Sequence, residues 1–219
     1  MTEVVPLYDL RLRTPRLELR LGSHEELVAL GRLAELGVHP PEEMPFAVAW
    51  TDGIGKPDFV DSCVAFHEEQ LTGWSPDKWM LNLLVWQDGE LVGTQGMLAD
   101  GFAAQPVVNT GSWLGGEHQG RGLGTEMRAA LVELAFRGLG ASRAESSWLE
   151  GNEASRRVSE KLGYVELGVR TQSPRGEPVA EHVVAIEREA WVCPVPVEIV
   201  GLEPCLALFG VNEAPSAPA

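Results

Sequence analysis

The chain has 219 residues, of which 44% are hydrophobic and 22% charged. That composition excludes a disordered chain, which would be too poor in apolar residues to offset its ordering entropy. With 17 basic and 32 acidic residues the formal net charge is −15, which argues against nucleic acid and anionic membrane surfaces as partners.

Cys63, Cys193 and Cys205 are far apart, odd in number and without metal-ligand spacing. They suggest reduced thiols in the cytoplasm and no metal. The opening MTEVVPLYDLRLRTPRLELR lacks the apolar core of a signal peptide. Apolar runs such as Leu81–Trp86 fall far short of the roughly 20 residues a membrane helix needs.

In chain order, Thr14–Leu21 alternates apolar and polar at Leu17, Leu19 and Leu21 and predicts a half-buried strand. Ser23 and Glu26 form a capping-box pattern for a helix that runs to about Leu36 and stops at Gly37. His39–Lys56 is rich in Pro and Gly but carries Met44, Phe46 and Trp50, so it reads as a loop that packs against something. Asp58–Gly73 suggests a second helix. Trp79–Gln87 and Leu91–Leu98 flank Asp88-Gly89, a strong hairpin signal. Val107–Leu114 reads as a strand and Gly122–Phe136 as an amphipathic helix. The remainder predicts strand Ser142–Leu149, helix Asn152–Leu162, strands Tyr164–Arg170 and Val179–Ile186, and a short strand Val197–Val200. This order implies an α/β layer arrangement around a mixed sheet.

The informative segment is Gly111-Ser-Trp-Leu-Gly-Gly-Glu-His-Gln-Gly-Arg-Gly-Leu-Gly-Thr125. A strand ends, a Gly-rich turn follows and a helix opens. Helix starts carry unpaired N–H groups and a partial positive charge, so they bind anions. Gly120, Gly122 and Gly124 allow close backbone approach, and Arg121 adds a cation. A P-loop would need Gly-Lys-Ser/Thr, but no Lys lies between Lys78 and Lys161. The dinucleotide spacing G-x-G-x-x-G is also absent here; the segment reads G-x-G-x-G.

This segment resembles the coenzyme A loop of the GNAT N-acetyltransferase superfamily, Gln/Arg-x-x-Gly-x-Gly/Ala, through Gln119, Gly122 and Gly124. A second block, Asn152-Glu-Ala-Ser-Arg-Arg-Val-Ser-Glu-Lys-Leu-Gly-Tyr164, resembles the family's N-x-x-(A/S)-x-x-x-x-x-K-x-G-(F/Y). Thr-Pro-Arg-Leu-x-Leu-Arg near the start and Glu126 are similar to the ribosomal-protein acetyltransferase branch. The loop around Met44, Pro45, Phe46 and Trp50, the Gly111–Gly115 strand end and Leu208-Phe-Gly210 resemble a group of actinobacterial members associated with succinyl-CoA.

The resemblance implies a GNAT fold, with a mixed sheet of about six or seven strands splayed at the cofactor cleft and about four flanking helices. It implies an acyltransferase domain over residues 1–190. A C-terminal extension over 191–210 would pack on the domain or a partner chain, and a flexible tail would cover 211–219. The donor would be acetyl-CoA or succinyl-CoA, held by Trp113, Leu114, Gly115, Gln119, Gly120, Arg121, Gly122, Leu123, Gly124, Thr125, Asn152, Ser155 and Arg156.

The acceptor would be a primary amine on a protein N-terminus, a lysine or a small molecule. It would attack the thioester directly in a ternary complex. A backbone N–H near Trp113 or Leu114 would hold the oxyanion. Ser159, seven residues after Asn152, would donate a proton to the leaving thiolate, unless it merely occupies a helix face.

A lysine amine is neutral about once in 2,500 molecules at pH 7 and needs a base more than an α-amine does. Glu117, His118, Asp100 and Glu145 are base candidates or solvated surface groups. Met44, Phe46 and Trp50 would line the acceptor or acyl pocket, or plug the sheet. A CoA-binding sensor without turnover is the alternative function. An exposed strand in the C-terminal segment could support a homodimer.

Overall fold

The computed structural model describes residues 4–211. One mixed sheet carries nine strands. They are β1 (Arg11–Arg13), β2 (Glu18–Arg20), β3 (Lys78–Gln87), β4 (Glu90–Asp100), β5 (Val107–Leu114), β6 (Arg143–Leu149), β7 (Val165–Gln172), β8 (Val179–Glu187) and β9 (Glu198–Val200). Across the sheet they run β7-β8-β6-β5-β4-β3-β2-β1-β9. Neighbours are antiparallel except β5 and β6, which are parallel. Helices α1 (His24–Glu35) and α2 (Phe59–Thr72) cover one face; α3 (Leu123–Glu133) and α4 (Glu153–Lys161) cover the other.

Local signals explain most of these elements. Ser23 Oγ accepts from Glu26 N–H at 3.3 Å and Glu26 Oε2 accepts from Ser23 N–H at 2.9 Å, so the capping box opens α1. Asp88 and Gly89 take φ of 51° and 82°, the primed geometry that suits a two-residue hairpin turn. Helix α3 buries Leu123, Met127, Ala129, Ala130, Leu131 and Val132. It continues through one π turn, Leu134–Gly138.

The sheet has more strands than the six or seven expected, for two reasons. Thr14 N–H donates to the Leu17 carbonyl at 2.9 Å and Leu17 N–H to Thr14 Oγ1 at 3.0 Å. That turn, with Pro15 in it, splits the opening segment into the hairpin β1–β2. At the other end β9 pairs with β1, Leu12 opposite Ile199. Strand β9 of the C-terminal segment therefore pairs within its own chain. The expected tail lies outside the described residues from 212 onward.

The extension is anchored by Phe209, which is fully buried with its ring centroid 5.3 Å from Trp74 and 4.9 Å from Trp79. Trp74 Nε1 donates to the Leu208 carbonyl at 2.8 Å. Phe209→Ala should cost about 3–5 kcal/mol of stability in denaturant unfolding, as a large aromatic leaves a buried cavity.

Candidate active site

Strands β5 and β6 pair only from Val107↔Arg143 to Asn109↔Glu145. Beyond that point β5 stays with β4, to Gly93↔Leu114, and β6 stays with β8, to Leu149↔Glu181. The two strands part and leave a wedge in the middle of the sheet. Side chains pin its apex: Thr110 Oγ1 donates to the Glu145 carbonyl at 3.1 Å and Ser146 Oγ to the Thr110 carbonyl at 3.0 Å.

Strand alternation decides which backbone groups face the wedge. Gly115 N–H donates to the Val92 carbonyl at 3.0 Å, so Gly115 and Trp113 direct their backbone groups to β4. Ser112 and Leu114 direct theirs to the wedge. Gln119 Nε2 takes the Leu114 carbonyl at 2.9 Å and the Val38 carbonyl at 2.7 Å. The Leu114 N–H is thus the donor at the wedge, and Trp113 contributes its indole to the opposite face of the sheet.

The Gly-rich loop follows directly. Gly122 is the residue before α3 at φ 79°, with no side-chain cap on the helix. Among the described residues no protein acceptor takes the N–H groups of Gly120, Arg121, Gly122, Leu123, Gly124 or Thr125. They form a row of free donors at a helix start. Gln119 braces the loop by its side chain, and Gly115 packs tightly on α1, where a Cβ would lie 2.8 Å from Leu33.

Arg16 is a site residue that sequence reasoning missed. Its Nη2 lies 2.6 Å from Glu126 Oε2, and its Nη1 donates to the Arg121 carbonyl at 3.0 Å. Glu126 also accepts from Thr14 Oγ1 at 2.6 Å and from Arg16 N–H at 3.1 Å. The β1–β2 turn is thereby tied to the loop. The Thr-Pro-Arg motif was visible, but its partner lies 110 residues away.

Helix α4 contributes the second block. Asn152 caps it: its Oδ1 accepts from Ser155 N–H at 3.0 Å and its Nδ2 donates to the Pro45 carbonyl at 3.1 Å. Ser159 is buried; its Oγ donates to the Ser155 carbonyl at 3.1 Å and accepts from Arg128 Nη1 at 3.1 Å. Arg156 is bridged along the helix to Glu153 at 2.5 Å and Glu160 at 2.6 Å.

On the α1–α2 face, half-buried Phe46, Trp50 and Trp113 pack around buried Phe59 beside the wedge. Trp50 stands 5.3 Å from Phe46 and 5.4 Å from Trp113 between ring centroids. Met44 sits next to Pro45, the residue Asn152 holds. Arg175 from the β7–β8 turn grips the same loop through Asp52 Oδ1 at 2.5 Å and the Glu43 carbonyl at 3.1 Å.

The base candidates are scattered. Asp100 is exposed and paired with Lys78 at 3.1 Å. Glu117 is exposed. His118 is buried 3.9 Å from Glu90. Glu145 lies on β6, 3.8 Å from Arg143.

Glu181, on β8, was not singled out from the sequence, although it is only 2% exposed. Arg170's hydrogen bond, opposed by burial and aided by Ser147 at 2.6 Å and Gln172 at 2.7 Å, holds its carboxyl down at about 2. An alternating Val-Ala-Glu-His-Val run gave no sign that this carboxylate was the inward one.

The model of the acetyltransferase (GNAT) domain matches residues 16–165. The chain belongs to the GNAT acetyltransferase family. Solved GNAT structures share its fold. RimL, the ribosomal L7/L12 alpha-N-protein acetyltransferase in complex with coenzyme A, is 16% identical over 80% of this chain and 95% of its own, with a TM-score of 0.65. Mycobacterium smegmatis RimJ, in complex with CoA-disulfide, is 22% identical over 84% and 90%, TM-score 0.64. The microcin C7 self-immunity acetyltransferase MccE, in complex with acetyl-CoA and AMP, is 17% identical over 79% and 93%, TM-score 0.60. Among the described residues no helix is long and apolar enough to cross a membrane, and no group of His, Cys, Asp and Glu is placed to hold a metal ion.

Because the folded pKa of Glu181 lies below its unfolded value of about 4.3, its contribution to stability is present at neutral pH and fades as pH falls toward 2. Glu181→Gln should destabilise by about 2 kcal/mol at pH 7, discounted because Arg170 is exposed. The gap to wild type should close between about pH 5 and pH 2 in thermal unfolding.

Proposed function

We propose that this GNAT protein moves an acyl group from a coenzyme A thioester to a primary amine by direct attack in a ternary complex. The observation that carries the reading is the wedge beside β5 followed at once by six free N–H groups at the start of α3. The donor set fits the cofactor: a row of amides suits a pyrophosphate, and the unpaired edge of Ser112 and Leu114 suits an amide-bearing pantetheine arm laid in as an extra strand.

Each residue then has a task. Gly120 through Thr125 bind phosphate oxygens, with Arg16 as a flanking cation. Leu114 N–H is aimed where the thioester oxygen gains charge. Asn152 and Ser155 shape the far wall, and Ser159 faces the leaving sulfur. Arg156 stands by at the helix surface. Met44, Phe46 and Trp50 line the acceptor side.

Acetyl-CoA is the donor this reading favours over succinyl-CoA. The cations of the acceptor side, Arg170 and Arg175, are both committed to carboxylates of the chain, so neither is free for a succinyl carboxylate. Three free cysteines suit a reducing cytoplasm.

Calorimetric titration with acetyl-CoA, succinyl-CoA and free CoA tests the reading. Similar binding of acetyl-CoA and CoA with weaker succinyl-CoA is expected; a clear preference for succinyl-CoA would overturn the choice of donor. Gly122→Val forces a branched side chain into φ 79° with Arg16 Nη2 3.5 Å from the new Cβ. Each N–H on a charged oxygen contributes on the order of 1.5–3 kcal/mol, so affinity should fall about tenfold to a hundredfold or more. Unchanged affinity would remove the loop from the site. Binding of acetyl-CoA without acyl transfer to any peptide or small amine would favour the sensor alternative.

A further inference from the structure

Arg128, on the same helix as the phosphate loop, is 4% exposed. Among the described residues it has no carboxylate partner, and Tyr164 is the one titratable group that acts on it. Its Nε is buried without a hydrogen-bond partner. A buried guanidinium is strongly disfavoured unless an anion or a hydrogen-bond network repays its lost hydration. The chain supplies only neutral groups here. Ser159 Oγ accepts from Nη1 at 3.1 Å. The Tyr164 hydroxyl, itself buried and unpartnered, lies beside Arg128 and Thr110. Thr110 is the residue at which β5 leaves β6. Through Tyr164 and Thr110 the unpaired cation stands close to the apex of the wedge, and Ser159 is its one hydrogen-bond partner among the described residues.

Packing alone does not account for such an arrangement, because Met would fill the space without the desolvation penalty. We infer that Arg128 is a positioning residue that orients Ser159 and supplies the positive field favouring the departing thiolate of coenzyme A. This rests on the reading of the wedge as a coenzyme A thioester site.

The step balances without an added reactant. The amine nitrogen bonds to the carbonyl carbon, the C–S bond breaks and its electron pair stays on sulfur. The proton of the attacking nitrogen leaves to water. Ser159 keeps its proton and turns it from the Ser155 carbonyl to the sulfur. Arg128 occupies a lone pair of Oγ, which keeps that hydrogen pointing away from the guanidinium.

The test reads the thiol and not only turnover. The ionisation of bound coenzyme A is followed by thiolate ultraviolet absorbance, as the difference from protein alone, in wild type, Arg128→Lys, Arg128→Met and Ser159→Ala. The bound thiol should titrate at least about one unit below the ~8.5 of a free thiol in wild type and Arg128→Lys. It should return close to the free value in Arg128→Met and move most of the way back in Ser159→Ala. With acetyl-CoA as donor, Arg128→Met should lower kcat with little change in KM.

An unshifted thiol in wild-type protein that does bind coenzyme A would overturn the role of Arg128 and leave the cofactor site standing. So would a shift that survives Arg128→Met. Should that variant fail to fold, a shift unchanged in Ser159→Ala would overturn the proposal just as directly. Failure of wild type to bind coenzyme A would overturn the site and this inference together.

Discussion

The structure hangs on a ladder that stops. Two parallel strands in the centre of a sheet ordinarily satisfy one another along their length, since unpaired backbone groups inside a protein are costly. Here β5 and β6 share three residue pairs and then diverge. The divergence survives because each strand keeps its other neighbour. β5 is bonded to β4 up to Leu114, and β6 to β8 up to Leu149. The Thr110 and Ser146 hydroxyls cross-link the apex, so the strands neither unzip further nor close.

What surrounds the wedge follows from that opening. The far end of β5 leads into the Gly-rich loop, which must be fixed although, among the described residues, its amides from Gly120 to Thr125 have no acceptor. The fixing comes from outside it: Gln119 to the Val38 and Leu114 carbonyls, Gly116 N–H to the Gly37 carbonyl, and Arg16 to the Arg121 carbonyl. On the other side Asn152 does two things at once. It caps α4, and it holds the Pro45 carbonyl of the α1–α2 loop. The wall that carries Met44 and Phe46 is therefore tied to the helix that carries Ser159. Arg175 makes the second tie, from the β7–β8 turn to Asp52. The two sides of the wedge are coupled through these few contacts.

Sequence patterns revealed what is local and periodic. The capping box of Ser23 and Glu26, the Asp88-Gly89 turn and the strand Val107–Leu114 could be read because each depends on neighbours in the chain. The hairpin β1–β2 was hidden because the alternation of Leu17, Leu19 and Leu21 runs on through a turn that only the Thr14–Leu17 hydrogen bonds reveal. Among site residues, the glycines stood out by type. The choice of Leu114 over Trp113 for the donor amide needed the phase of the β4–β5 ladder, which no composition contains. Arg16, Arg128 and Glu181 were silent because a charged residue's task is set by what lies across the fold. Arg156 looks like a phosphate ligand in the chain, and in space it is spanned by two glutamates of its own helix.

The net charge of −15 opposes a polyanionic ligand at long range, and the local chemistry resolves the conflict. Arg16 beside the loop is already balanced by Glu126, so it adds orientation more than charge. The attraction comes from Arg121 within the loop and from the N–H row and the dipole of α3, which act within about one helical turn. Long-range repulsion from the acidic surface is screened beyond about 8 Å at physiological ionic strength, so it slows approach more than it weakens the bound state. On the proposed reading an amine acceptor would experience the opposite field and arrive as a cation. The chain would then bind an anion through backbone geometry while its side-chain charge favours the second substrate, and neither requirement compromises the other.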